Sequence, residues 1–327
     1  SNYSNITSCA NYGDINVSGT YGTSDKDCFV GGITGWASQG ECAIKDTDNH
    51  GDITVNTANL CGVGGIVGMN RGENIDGCEN TGALIIQNTL PGEGWVGGIV
   101  GFAQQQSGSE KKVSGCRNSG AFNVTTPSVV GVGGIFGCIN YSPADSDVIT
   151  IENCTNESDI AVTTANSSMH IGGILAREAS SGNLNVQNKI TGCTNSGDIT
   201  LAYTATANNW EAAGGIVGFY DGTDGTAVTN GCTNSGKVWA TVNSSNANIG
   251  AGGIAGIIKS GHATNNTNDG AVWMHNAQAG KSSYAGGIVG YDYNTKDKSA
   301  VTGNVNNGAV QATVEGTSAL LAAGGII

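Results

Sequence analysis

Gly64-Gly65-Ile66-Val67-Gly68 is one of nine copies of a Gly-Gly-Ile motif in this 327-residue chain. The doublet opens at Gly31, Gly64, Gly97, Gly133, Gly172, Gly214, Gly252, Gly286 and Gly324. Its copies recur at intervals of 33, 33, 36, 39, 42, 38, 34 and 38 residues, a spacing that marks stacked repeats in which each unit packs only on its neighbours. Residues 1–327 therefore read as a single continuous array. The chain begins and stops inside a unit, with no polar cap at either end, so the expectation is a piece of a longer protein.

Outward from the motif, the units align in columns. Asn11, Asn49, Asn80, Asn118, Asn156, Asn195, Asn234, Asn268 and Asn306 fill one column, with Gly two residues later in every unit except the one holding Ser158. Stacked at strand spacing, roughly 4.8 Å per rung, these side chains can hydrogen-bond up the stack as an amide ladder. The following Gly suggests a tight bend with positive φ. Next comes strict alternation, as in Ile53-Thr54-Val55 and Phe122-Asn123-Val124, which is the period of a half-buried strand. With the Gly-Gly-Ile segment as a second strand and a short apolar step before the Cys position as a third, each unit reads as one coil. The fold class expected is all-β, a β-solenoid of nine repeats of about 33–42 residues with roughly three short strands per coil.

Composition agrees. Fifty-four Gly against three Pro, with few Lys, Arg and Glu, suit turns between short strands better than helices. A net charge of −13 argues against a phosphate-tracking surface, so no nucleic-acid partner is expected. No apolar run is long enough to span a membrane.

At Cys193 to Ile199, reading CTNSGDI, and in the GGIVG copies, the chain resembles the GLUG-motif and related Gly-rich repeats of large secreted or surface-anchored bacterial proteins. That resemblance implies an extracellular or cell-surface location, an adhesin, stalk or fibre role, and no catalytic residues. A polysaccharide-active β-helix enzyme and a subunit of an extracellular filament are the alternatives. The partners expected are other repeats or domains of the same chain, and a surface glycan or another protein.

Few side chains point to chemistry. Cys9, Cys78, Cys116, Cys154, Cys193 and Cys232 share a column that elsewhere holds Thr47, Asn266 and Asn304, which favours an inward stack over metal binding. Cys28 and Cys61 each stand three residues before a doublet, one unit apart, and are the candidate disulfide. Asp14 with Asp52, and Asp159 with Asp198, fall in register on neighbouring units, as paired carboxylates of a glycosidase would; the preceding turn explains Asp there equally well. Asp46 to Gly51 and Asp221 to Thr226 are partial calcium-loop patterns, and no cofactor is expected. Trp239 and Trp273 occupy the outward column of successive units and are the candidate ligand-stacking pair. Trp95, Trp210 and Tyr284 precede doublets, where they are expected to cap the adjoining strand.

Overall fold

A computed structural model describes residues 5–19, 28–38, 43–57, 62–87, 94–104, 111–125, 129–141, 149–164, 168–180, 189–204, 210–221, 227–243, 247–278, 282–293, 300–315 and 320–327. The chain is a parallel β-solenoid without helix among these residues. One coil comprises the strands Asn74–Asp76, Glu79–Asn80, Leu84–Ile86, Gly94–Gly97 and Val100–Gln104. Their equivalents along the chain form five parallel sheets, sheets 1 to 5 in that order, four of nine strands and the last of eight. Register follows the sequence columns, with Leu84 opposite Phe122 and Ile86 opposite Val124.

Five short strands make a coil, not three. The Asn column is itself a two-residue strand, and the Gly-Gly-Ile segment is divided. Sheet 4 ends on the first Gly, as at Gly64, the next two residues turn the chain, and sheet 5 begins at Val67. The motif is thus a corner rather than a strand.

Two apolar cores flank that corner. The Ile of each motif, including Ile66, Ile99, Ile135 and Ile174, joins the Cys column in one core; the alternating strands, including Ile53, Leu84 and Ile160, join Val63, Val96 and Val132 of sheet 4 in the other. Between them runs the amide ladder. From Asn11 to Asn306 each Nδ2 donates to Oδ1 of the next Asn at 2.8–3.0 Å, eight bonds without a gap. Each Nδ2 also donates to the backbone carbonyl two residues on, as Asn195 does to Gly197 at 2.8 Å. This amide column abuts the second Gly of the doublet. A Cβ on Gly65 would lie 2.3 Å from Cγ of Asn80 and 2.1 Å from the Gly98 carbonyl oxygen.

The Gly two residues after Asn is required by space, not by a left-handed backbone. A Cβ on Gly82 would lie 2.0 Å from the Gly51 carbonyl oxygen of the preceding coil. Positive φ occurs instead just before the Cys column, at Ser8, Asp46, Gly77, Gly115, Asn153, Gly192, Gly231, Asn265 and Gly303. Every occupant is Gly, Asn, Asp or Ser, the residues that tolerate or favour such turns.

One carboxyl is sealed inside the second core. Glu211 is fully buried; its Oε2 accepts the Met169 N–H at 2.5 Å, and the buried Tyr203 hydroxyl lies beside it. Burial pushes its pKa up to about 8, against smaller downward pulls from Met169 and Tyr203. The folded chain therefore keeps this proton where the unfolded chain has lost it, so stability falls as pH rises from about 4.5 to about 8. Glu211→Gln removes that loss. At pH 7 the variant is expected to gain about 3 kcal/mol, or about 4 °C in melting midpoint, and to match the parent at pH 4. Thermal scans at pH 4, 7 and 8.5 check this; equal midpoints at pH 7 would show that Glu211 is not held neutral.

Candidate functional site: an aromatic mouth between two sheets

Sheets 4 and 5 touch backbone to backbone next to the motif corner. The final Gly of the motif makes this possible, since a Cβ on Gly101 would lie 2.4 Å from the Val63 nitrogen. Further from the corner, side chains fill the space between the two sheets. From sheet 5 these are Trp36, Met69, Phe102, Cys138, Arg177, Phe219, Ile257 and Tyr291, mutual register partners five residues after each doublet opens. Facing them from sheet 4, two residues before the doublet, are Phe29, Gly62, Trp95, Gly131, His170, Ala212, Gly250 and Tyr284. Along sheet 4 large residues lie beside small ones: a Cβ on Gly131 would lie 2.6 Å from the ring of its register partner Trp95. The result is an aromatic strip along one edge of the solenoid.

A cavity of about 220 Å³ opens in this strip, bordered by His170, Arg177, Trp210, Asp221, Lys259 and Tyr293 among others. Asp221 Oδ2 accepts from Arg177 Nη2 at 2.7 Å, and its Oδ1 accepts from Lys259 Nζ at 2.7 Å. Two cations thus share one carboxylate, and the site is locally positive in a chain of net charge −13. The Arg177 guanidinium lies 5.9 Å from the Phe219 ring centre and 6.0 Å from that of Trp95, within cation–π range. Trp210 stacks on Tyr291 at 5.5 Å and leans on Tyr293 at 5.1 Å. His170 is only 2% exposed and stacks on Phe219 at 4.9 Å. Burial and, secondarily, the nearby Arg177 charge lower its pKa well below the usual histidine value, so the ring is neutral at physiological pH. Its Nδ1 and the Nε of Arg177 are buried without a hydrogen-bond partner, a costly state inside a protein. Chemically the site offers a neutral ring nitrogen, spare cationic donors and aromatic faces.

The residues singled out from sequence lie outside the cavity, with two exceptions. Trp239 and Trp273 are register partners on sheet 3, with ring centres 4.4 Å apart but planes inclined by 60°. Trp239 is 44% exposed, while Trp273 stacks on His275 at 13°. The pair presents two facets instead of one flat platform. Trp210 and Asp221 are the exceptions, since both border the cavity. Trp95 is buried against Val130 and Cys138.

Each paired carboxylate holds the backbone of the next coil. Asp14 Oδ1 accepts the Asp52 N–H at 3.0 Å and Asp52 Oδ1 the Ala83 N–H at 2.8 Å; Asp159 and Asp198 accept the Asp198 and Lys237 N–H groups at 2.8 Å. Cys78, Cys116, Cys154, Cys193 and Cys232 are buried free thiols on consecutive coils, each donating to the carbonyl two residues before it. Cys28 is also a buried free thiol, its pKa raised by burial, and its expected partner Cys61 lies outside the described residues. In the Asp46 to Gly51 segment, Asp48 Oδ1 accepts the Glu79 N–H at 3.2 Å and Asn49 belongs to the ladder. Of Asp221 to Thr226 only Asp221 is described. Among the described residues no group of three or more His, Cys, Asp and Glu is placed to hold a metal, and no helix is long and apolar enough to cross a membrane.

Sequence columns could have located the mouth. Trp36, Phe102, Phe219 and Tyr291 recur five residues after the doublet opens, but the segment reads as one strand until the corner divides it. The chain matches no protein-family model, and no curated protein and no solved structure shows significant similarity to it.

Proposed function

We propose that this chain is a stiff repeat segment of a secreted or cell-surface protein, which holds partners at a distance and binds carbohydrate along its edge. The observation that carries the reading is a division of labour between columns. Inward columns repeat from coil to coil, with eight unbroken amide bonds along the stack. The mouth strip, by contrast, changes in every coil. A rod that only spaced its ends would have no use for aromatic side chains and ion pairs gathered there, whereas carbohydrate-binding grooves use such groups to stack on sugar rings and bond their hydroxyls. An enzymatic reading is not favoured, because the paired carboxylates are committed to backbone N–H groups.

A glycan array probed with the 1–327 segment tests this. Binding is expected, and Trp210→Ala with Tyr293→Ala is expected to lower it at least tenfold, while Trp239→Ala with Trp273→Ala leaves it unchanged. Absence of binding to every glycan sinks the adhesive reading. Loss through the Trp239 and Trp273 pair alone moves the binding surface to sheet 3.

A further inference from the structure

Resting on the carbohydrate-binding reading, we propose that the cavity bordered by His170, Arg177, Trp210, Asp221, Lys259 and Tyr293 is a subsite for a carboxylate-bearing sugar residue, a uronic acid, within a polysaccharide. Three independent features specify that chemistry.

The first is charge. Arg177 and Lys259 outnumber Asp221, which both contact, and His170 contributes no charge. With the Tyr293 phenol, these are the charged and titratable groups that border the cavity. A neutral sugar leaves one cation uncompensated at a partly buried position, whereas a carboxylate balances it. Arg also presents a planar fork that pairs with carboxylates through parallel bonds.

The second is hydrogen-bonding polarity. His170 is neutral, and its buried Nδ1 has no hydrogen-bond partner. In a neutral ring that holds its proton on the other nitrogen, Nδ1 accepts, so the ligand supplies an O–H donor there. Arg177 Nε–H requires an acceptor. A ligand with adjacent hydroxyl and carboxylate oxygens meets both demands; a simple anion meets only the second.

The third is shape. The volume of about 220 Å³ suits a single pyranose ring rather than a drug-sized ligand. Tyr293, 40% exposed, and Trp210 supply apolar faces at the rim for the C–H side of such a ring.

Calorimetric titration of the 1–327 segment with a uronic-acid trisaccharide, the neutral hexose trisaccharide of the same linkage, and sodium sulfate is the test. The uronate is expected to bind at least tenfold more tightly than the neutral analogue, and sulfate not to compete at matched ionic strength. Lys259→Met, at a partly exposed position that no core contact depends on, is expected to cost about tenfold in uronate affinity and nothing for the neutral sugar. Arg177→Lys, which keeps the charge and removes the fork, is expected to cost a similar factor. Equal affinity for acidic and neutral sugars, sulfate displacing the uronate, or unchanged uronate affinity in both variants each overturn the proposal. If neutral glycans bind while uronates do not, the uronate subsite fails and the carbohydrate-binding reading stands; if no glycan binds, both fail.

Discussion

In the 1–327 segment Gly215→Ala is expected to destabilise the solenoid by about 5 kcal/mol, while the same change at Gly325, which has no following coil in that segment, is expected to cost less than about 0.5 kcal/mol. Both residues are the second Gly of a doublet, with identical local sequence, Gly-Gly-Ile. Their surroundings differ. A Cβ on Gly215 would lie 2.1 Å from the Gly253 carbonyl oxygen and 2.3 Å from Cγ of Asn234. Neither neighbour can yield: one is the backbone of the next coil and the other is a fully buried ladder rung. Relief requires prising two coils apart at the corner, which strains the Gly215 N–H bond to the Gly252 carbonyl at 3.1 Å and the adjoining amide bond at 2.8 Å. On Gly325 an added Cβ meets nothing within 4 Å. Neither Gly has positive φ, so backbone strain does not enter the comparison. Thermal unfolding of both variants is the measurement. A Gly215→Ala midpoint within a degree of the parent would show that the doublet is not a steric requirement.

That contrast also shows what the amino-acid order could reveal and what it could not. Nine doublets and nine Asn residues recurring in alternation made the stack legible, because a solenoid repeats its interior and repetition survives in sequence. The ladder was legible for the same reason. Why Gly follows Asn by two residues was not: Gly82 and Gly77 look alike in sequence, yet only Gly77 has positive φ, whereas Gly82 is fixed by the Gly51 carbonyl of a coil 31 residues earlier. The αL column escaped notice because five of its nine members are Gly and the rest are Asn, Asp and Ser, a mixture that reads as ordinary loop until the coils are superposed. The mouth was hidden more deeply. Its members come from either side of a corner inside the motif, so Trp210 and Tyr293 meet only because sheets 4 and 5 fold back on each other two coils apart. Trp239 and Trp273 stood out by the opposite route, since a single strand register brings them together. Features built within one column are readable; features built between columns need the fold.

Asn195→Ala carries the second large effect, an expected loss of about 4 kcal/mol in the 1–327 segment, against about 1 kcal/mol for Asn306→Ala, the final rung of that segment. Asn195 is fully buried. It accepts from Asn156 at 2.8 Å and donates to Asn234 and to the Gly197 carbonyl, both at 2.8 Å. Truncation leaves acceptors and a donor facing a dry gap, and each buried group stranded in this way costs about 1–3 kcal/mol. Asn306 is only half-buried and has a ladder partner on one side. Asn195→Asp separates hydrogen bonding from packing, because it preserves size and shape while removing both N–H donors. As a carboxylate it would point at two acceptors, the Asn234 Oδ1 and the Gly197 carbonyl, so burial and repulsion together raise its pKa in the folded state. An acid raised on folding costs stability as pH rises through the interval between its unfolded and folded values. The Asp variant is therefore expected to approach the parent at pH 4, where a protonated carboxyl donates one bond up the ladder, and to fall below Asn195→Ala at pH 8. Melting midpoints of the two variants across that range decide the matter. Parallel pH profiles for Asp and Ala would mean that the column is held by shape alone, whereas crossing profiles identify the hydrogen bonds as what fixes the spacing of the coils.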